Sequence, residues 1–167
     1  MSNNRRKIIV AITGASGAVY ALKLLERLRE LSEPLPGQGG YMHGQAAQSR
    51  ELSEPPAEVA VIFTGNAEEI MLYETGTKYL PAGTEKLWSN NDFNAPFASG
   101  SSSYDTMIIC PASMGMVGRI AHGVSDDLIT RAADVILKER RRLILVPRET
   151  PYSLIHINNM KLLTEAG

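Results

Sequence analysis

Apolar residues along the chain fall into short uninterrupted runs that alternate with stretches spaced at three and four residues, which predicts strands and helices in turn. Ile8-Ile9-Val10-Ala11-Ile12 is a β-rich run that stops at Thr13-Gly14-Ala15-Ser16-Gly17-Ala18. It reads as a buried strand feeding a glycine turn. Ala21, Leu24, Leu25, Leu28 and Leu31 then form one stripe of a helix that ends near Ser32-Glu33-Pro34. Val59-Ala60-Val61-Ile62-Phe63 predicts a second buried strand, 67–73 a short helix, and Thr106-Met107-Ile108-Ile109-Cys110 a further strand closed by Pro111. The stretch 78–103 reads as loop. A helix over 126–140 carries Leu128, Ile129, Ala132, Ala133, Ile136 and Leu137 on one face, Leu143-Ile144-Leu145-Val146 predicts another strand, and a last helix spans about 154–165. This order predicts an α/β fold, a three-layer doubly wound parallel sheet in a single domain. Ligands of such sheets bind outside the carboxyl ends of the strands, which directs attention to loops 13–18, 64–66, 96–103, 111–116 and 147–151.

One segment breaks the alternation. Arg29-Glu30-Leu31-Ser32-Glu33-Pro34 reappears as Arg50-Glu51-Leu52-Ser53-Glu54-Pro55, and the residues between are rich in Gly and Gln. Two copies do not make a stacked repeat, and 33–57 reads as a flexible surface insertion away from the chemistry. The chain of 167 residues, 44% hydrophobic and 21% charged, suits one soluble domain. A net charge of −1 argues against nucleic acid and anionic lipid as partners. Cys110 is the single cysteine, and His43, His122 and His156 lack the spacing of a metal site, so neither a disulfide scaffold nor a metal is expected. The run after the basic N-terminus is too short for a signal sequence or a membrane span, which points to the cytoplasm.

Gly14-Ala15-Ser16-Gly17 lies where a strand opens into a helix, so free N–H groups and the positive dipole end favour an anionic or polar ligand group. The motif falls short of the full dinucleotide fingerprint, and a tight turn needing Gly for its backbone is the plain alternative. The second strand ends in Thr64-Gly65-Asn66 instead of the acidic residue that holds a dinucleotide ribose, which favours a mononucleotide. Ser99-Gly100-Ser101-Ser102-Ser103 and Pro111-Ala112-Ser113-Met114-Gly115-Met116-Val117-Gly118 read as small-residue loops that let backbone N–H groups approach a ligand, although the serine run fits a plain linker equally well. Arg131, Lys138 and Arg148 offer positive charge for a phosphate. Asp127 with Arg131 and Asp134 with Lys138 also fit a solvated i,i+4 ladder, and Lys138 to Arg142 place cations where they complement a helix dipole. Arg148-Glu149-Thr150, held between Pro147 and Pro151, suits a general acid beside a phosphate-binding Arg, or an ordinary charged connection.

Taken together, Thr13 to Ala18, Asn91-Asp92-Phe93, Ala98-Ser99-Gly100-Ser101, Cys110-Pro111-Ala112-Ser113, Leu128 to Arg141 and Val146-Pro147-Arg148-Glu149-Thr150-Pro151 resemble the UbiX-type flavin prenyltransferases, over about residues 5–31 and 59–167. The resemblance implies a Rossmann-like or flavodoxin-like subunit that binds FMN at the interfaces of a homo-oligomer, a dodecamer. It implies transfer of a dimethylallyl group from dimethylallyl phosphate to N5 and C6 of reduced FMN, without a metal, to serve UbiD-type decarboxylases, for example in ubiquinone biosynthesis. Carried over residue by residue, it implies that Gly14, Ala15 and Ser16 form the flavin turn, with Ser16 relaying a proton near N5. Thr64, Ser113, Met114, Gly115, Met116 and Arg148 would contact FMN. Ser99, Gly100, Arg131 and Lys138 would cradle the prenyl phosphate from neighbouring subunits, Glu149 would protonate the departing phosphate, and Glu74, undistinguished by pattern, would assist proton transfer. Phe93 stands where some members carry Trp, and its ring face would stabilise an allylic cation less strongly. Family members continue beyond the equivalent of Gly167 with a Tyr and an Arg for the donor site, which implies that turnover is more exposed to this difference than FMN binding. Flavin-dependent cysteine decarboxylases share the fold and a Pro-Ala-Ser loop, but use a His and an Asn that this chain does not match. An FMN-binding protein without catalysis is the other alternative.

Overall fold

The computed structural model describes residues 6–32, 57–79 and 85–167. The expected insertion over 33–57 therefore lies, except for its last residue, outside the described residues. In chain order the elements are β1 (Lys7–Ile12), α1 (Ala18–Ser32), β2 (Glu58–Phe63), α2 (Ala67–Thr75), β3 (Glu85–Ser89), β4 (Thr106–Ala112), α3 (Met114–Ala121), α4 (Leu128–Lys138), β5 (Arg142–Pro147) and α5 (Leu154–Ala166), with a short 3-10 turn at Pro96–Ala98. All strand pairs are parallel, in the order β3-β2-β1-β4-β5. The doubly wound sheet expected from the pattern is what forms, in the Rossmann-like order, with its switch point between β1 and β4.

The period-2 geometry of strands divides the core into two layers. Val10 and Ile12 of β1, with Val59, Val61 and Phe63 of β2, face Ala18, Ala21 and Leu25 of α1 and Met71 of α2. Ile9 and Ala11, with Ala60 and Ile62, face the opposite layer, where α3 and α4 contribute Val117, Ile120, Ile129, Ala133 and Ile136. On the outer edge of the first layer, Arg29 of α1 is clamped to the buried carboxylate of Glu85 at 2.8 Å, and Tyr79 donates to the same carboxylate at 2.6 Å. Burial pushes the Tyr79 phenol well above its ordinary value, and its bond to Glu85 adds to the shift.

Two expectations change. The loop expected over 78–103 contains β3, because Glu-Lys-Leu-Trp-Ser is a half-exposed edge strand and lacks the apolar run that marks an interior one. Residues 111–118 are not a loop throughout: α3 begins at Met114, and Ser113 caps it by accepting from the Met116 amide at 3.2 Å. The strand expected over 143–146 forms as β5, at the edge of the sheet with alternate residues exposed.

The helix expected over 126–140 is shorter at both ends. Asp127 caps it, in a reciprocal capping box with Thr130, and a left-handed Arg140 (φ 56°) turns the chain out of it. Among the described residues no helix is long and apolar enough to cross a membrane.

Candidate active site

At the carboxyl ends of the strands, the switch point is clasped by one residue. Thr13 is 3% exposed, and its hydroxyl donates to the Pro111 carbonyl at 2.8 Å while accepting from the amides of Ser113 (3.1 Å) and Ala15 (3.3 Å). A side chain buried with every valence used ties the β1 turn to the start of α3. Thr13 belongs to the glycine-turn motif, yet nothing in its spacing marks this role. A polar residue closing an otherwise apolar strand is the signal that marks it.

The α1 N-terminus is not open, contrary to the expectation of free N–H groups there. The Glu74 carboxylate, reaching from the end of α2, accepts from the amides of Gly17 at 3.0 Å and Ala18 at 2.8 Å. It meets the positive end of the helix itself. The Ser16 side chain bonds the same carboxylate, and this bond, followed by those from Gly17 and Ala18 and by the nearby Arg148 charge, holds the Glu74 carboxyl below the ordinary carboxylate range. Glu74 is thus a carboxylate at neutral pH. Gly17 has φ 114°, where an L side chain is strained. Gly17→Ala is expected to lower stability by roughly 1–3 kcal/mol and to weaken the Glu74 contact. A denaturant titration checks the first effect, and a midpoint equal to wild type would contradict the strain.

Several of the residues assigned to the cofactor lie near this turn. Thr64 follows β2, and its hydroxyl lies 3.5 Å from the Asn66 side-chain oxygen. Asn66 covers Gly14 so closely that a Cβ there would collide with its carboxamide. Ser113 opens α3, and Gly115 is exposed with open space where a side chain would start. Met114 and Met116 depart from the expected lining: both are buried in the core layer, because α3 turns those positions toward the sheet and leaves Gly115 outward. Arg148 and Glu149 follow β5 and are exposed, close enough for Arg148 to bear on Glu74. Small residues with open space at Gly65 and Gly115, hydroxyls at Ser16 and Thr64, and the Arg148 cation form a donor set that fits a flavin mononucleotide. Among the described residues no cluster of metal-ligating side chains occurs.

The remaining candidates lie elsewhere. Loop 96–103 precedes β4 and does not join the carboxyl-end loops, because the chain crosses from β3 down over α4 before entering β4. Asp105 bonds Lys7 at the start of β1 through its amide and accepts from Arg142 at the start of β5. At this amino end, Lys138 sits 2.8 Å from Glu139, and both lie against Gly100, whose missing Cβ leaves them room. Arg131 donates to the Ala98 carbonyl at 3.0 Å, and the Ser99 and Ser101 hydroxyls are 3.1 Å apart. Phe93, half exposed, lines a cavity of about 510 Å³ with Ser99, Tyr104, Lys7 and Glu58. Lys7 pairs with Glu58 at 3.2 Å, and the Tyr104 hydroxyl donates to Glu58 at 2.9 Å.

The i,i+4 ladder does not form. Asp127 is spent on capping α4 and on Arg119, Arg131 contacts Asp134 at 3.5 Å, and Lys138 turns to Glu139. Ser99, Gly100, Arg131 and Lys138 therefore converge, and so do Gly14, Ser16, Thr64, Glu74 and Arg148. Within one protomer, however, Lys138 and Gly100 lie toward the amino ends of the strands, whereas the Gly14 turn, Glu74 and Arg148 lie at the carboxyl ends.

The family model described as Flavoprotein matches residues 48–167. The flavin prenyltransferase UbiX of Pseudomonas aeruginosa is 42% identical over 163 residues, covering 96% of this chain and 73% of that protein. The crystal structure of AnUbiX (PadA1) in complex with FMN and dimethylallyl pyrophosphate superposes with a TM-score of 0.77 at 40% identity, over 98% of this chain and 75% of that one. A dodecameric FMN-dependent UbiX-like decarboxylase from Escherichia coli O157:H7 superposes with a TM-score of 0.76 at 34% identity, over 96% and 76%. The FMN-dependent cysteine decarboxylase SpaF, at 16% identity and a TM-score of 0.58 over 99% of this chain and 83% of that one, shares the fold alone.

Proposed function

Because this chain belongs to the flavin prenyltransferase family of flavoproteins, we propose that it transfers a dimethylallyl group from dimethylallyl phosphate to reduced FMN, in a site completed between protomers of a homo-oligomer. The observation that carries this reading is the separation of two half-sites, one suited to a flavin and one to an anionic donor, that a single protomer does not bring together. In the assembly we propose, a heterologous contact would set the amino end of one protomer against the carboxyl end of another, and a dodecamer is the form we adopt. The prenylated flavin is then passed to a UbiD-type decarboxylase.

Reduced FMN supplies the nucleophilic N5 and the ring carbon C6 that take the prenyl carbons. The protein's part is electrostatic and positional. When the donor carbon–oxygen bond breaks, its electron pair goes to the phosphate, so Lys138 and Arg131 gain most from the charge at the transition state. Glu149 delivers a proton to the departing phosphate. The face of Phe93 meets the allylic fragment, where a ring quadrupole attracts positive charge. At the flavin end, Ser16 would take up a proton released near the flavin N5 as it passes its own to the Glu74 carboxylate, which the α1 N-terminus keeps ionised. Gly14, Ala15, Thr64, Ser113, Gly115 and Arg148 bind and orient the flavin.

The test is incubation of the purified oligomer with reduced FMN and dimethylallyl phosphate, followed by mass spectrometry of the released flavin. A flavin heavier by one prenyl group is expected. Tight FMN binding with no mass gain, from either the monophosphate or the pyrophosphate donor, would leave a flavin-binding protein without this activity.

A further inference from the structure

Arg141 belongs to neither half-site as assigned above, yet its guanidinium makes two directed backbone contacts at the amino end. Nη1 donates to the Tyr104 carbonyl at 3.0 Å and Nη2 to the Gly100 carbonyl at 2.6 Å. One planar fork therefore closes loop 100–104 at both ends, a task that matches guanidinium geometry and that a lysine ammonium on one flexible stem does not reproduce.

The backbone before it is built to aim this fork. Arg140 occupies the left-handed region at φ 56°, which bulky L residues adopt rarely and only where surrounding structure holds them. The turn is locked by the Arg140 amide donating to Leu137 at 3.0 Å and the Arg141 amide donating to Ile136 at 2.9 Å. The chain thus folds back over the end of α4, so the residue after Arg140 points at loop 100–104 and not along the helix axis.

Lys138 leaves the same helix end. A Cβ on Gly100 would stand 3.0 Å from the Lys138 ammonium and would collide with the Glu139 carboxylate. The gap between Lys138 and the Gly100 backbone is therefore set by how firmly loop 100–104 is held against the end of α4. Arg131 holds the preceding Ala98 carbonyl at 3.0 Å, leaving Ser99 and Gly100 pinned from both sides.

We infer that Arg141 is a positioning residue for the prenyl donor: it clamps loop 100–104 so that Ser99 and Gly100 stand at the correct distance from Lys138 to receive the donor phosphate. This rests on the functional reading above. Arg141 touches neither donor nor flavin, and it acts through the loop.

The test is Arg141→Lys in the FMN-loaded oligomer, which keeps the charge and removes the fork. Affinity for dimethylallyl phosphate, measured by calorimetry, is expected to weaken about tenfold. KM for the donor should rise in step while kcat stays within about twofold, since the chemical groups remain. FMN affinity, read from flavin fluorescence, should hold, because the flavin turn lies at the other end of the sheet. Hydrogen exchange should quicken in loop 100–104 and stay unchanged in 13–18. Should Arg141→Lys fail to fold, Arg141→Gln, which likewise leaves a single donor nitrogen and no fork, is expected to give a rise of the same kind.

Unchanged donor affinity would overturn the inference. So would a parallel fall of donor affinity, FMN affinity and melting temperature, which marks a purely structural role. A wild-type protein that binds neither FMN nor donor would instead remove the functional reading itself.

Discussion

Lys138→Ala lowers kcat/KM for dimethylallyl phosphate by about 100-fold while FMN affinity stays within about twofold of wild type; this is the result expected of the leaving-group role proposed for Lys138. The size follows from where charge develops. A fixed ammonium near the breaking carbon–oxygen bond interacts more strongly with the departing phosphate than with the bound ester, so its loss falls on the transition state. The fold should not suffer. Lys138 is more than half exposed and its partner Glu139 lies on the surface beside it, so a screened pair of this kind contributes little to stability. Glu139 loses its cation and remains solvated. The measurement is steady-state formation of prenylated flavin with a parallel flavin-fluorescence titration. Kinetics equal to wild type would return Lys138 to the role of a surface ion pair.

The second large effect is complementation. Lys138→Ala and Glu149→Gln should each be nearly inactive alone, yet mixed oligomers of the two variants should recover activity. Lys138 ends α4 at the amino side of the sheet, whereas Glu149 follows β5 at the carboxyl side. If a site draws Lys138 from one protomer and Glu149 from its neighbour, an equal random mixture leaves about a quarter of the sites with both groups intact. Activity from co-expressed variants, set against the same variants expressed apart and then mixed without exchange, gives the comparison. Mixed oligomers no more active than the separate variants would show that both groups act from one chain, contrary to the half-site separation.

Much of the fold is legible in the residues because interior parallel strands and amphipathic helices carry strong periodic signals. Ile8 to Ile12, Val59 to Phe63 and Thr106 to Cys110 announce themselves as uninterrupted apolar runs. Glu85 to Ser89 does not, since an edge strand needs no second apolar face, and its Trp88 is recognisable only once it packs on Phe97. The helix from Met114 escapes for a related reason. Its Gly and Ala content resembles a loop, and what makes it helical is the Ser113 cap and the burial of Met114, Val117 and Ile120.

The chain by itself determines the doubly wound class, the glycine turn after β1 and the choice of a mononucleotide over a dinucleotide, because these depend on local pattern and on residues adjacent in sequence. Only the tertiary structure decides that Glu74 seals the α1 N-terminus, that Thr13 joins two loops 98 residues apart, and that Arg141 clamps the serine loop. It also decides that the Lys138 end of α4 lies at the amino side of the sheet and the Glu74 turn at the carboxyl side. Those are contacts between residues far apart along the chain, made when the sheet sets its strand order, and no local spacing encodes which distant partner a side chain will meet.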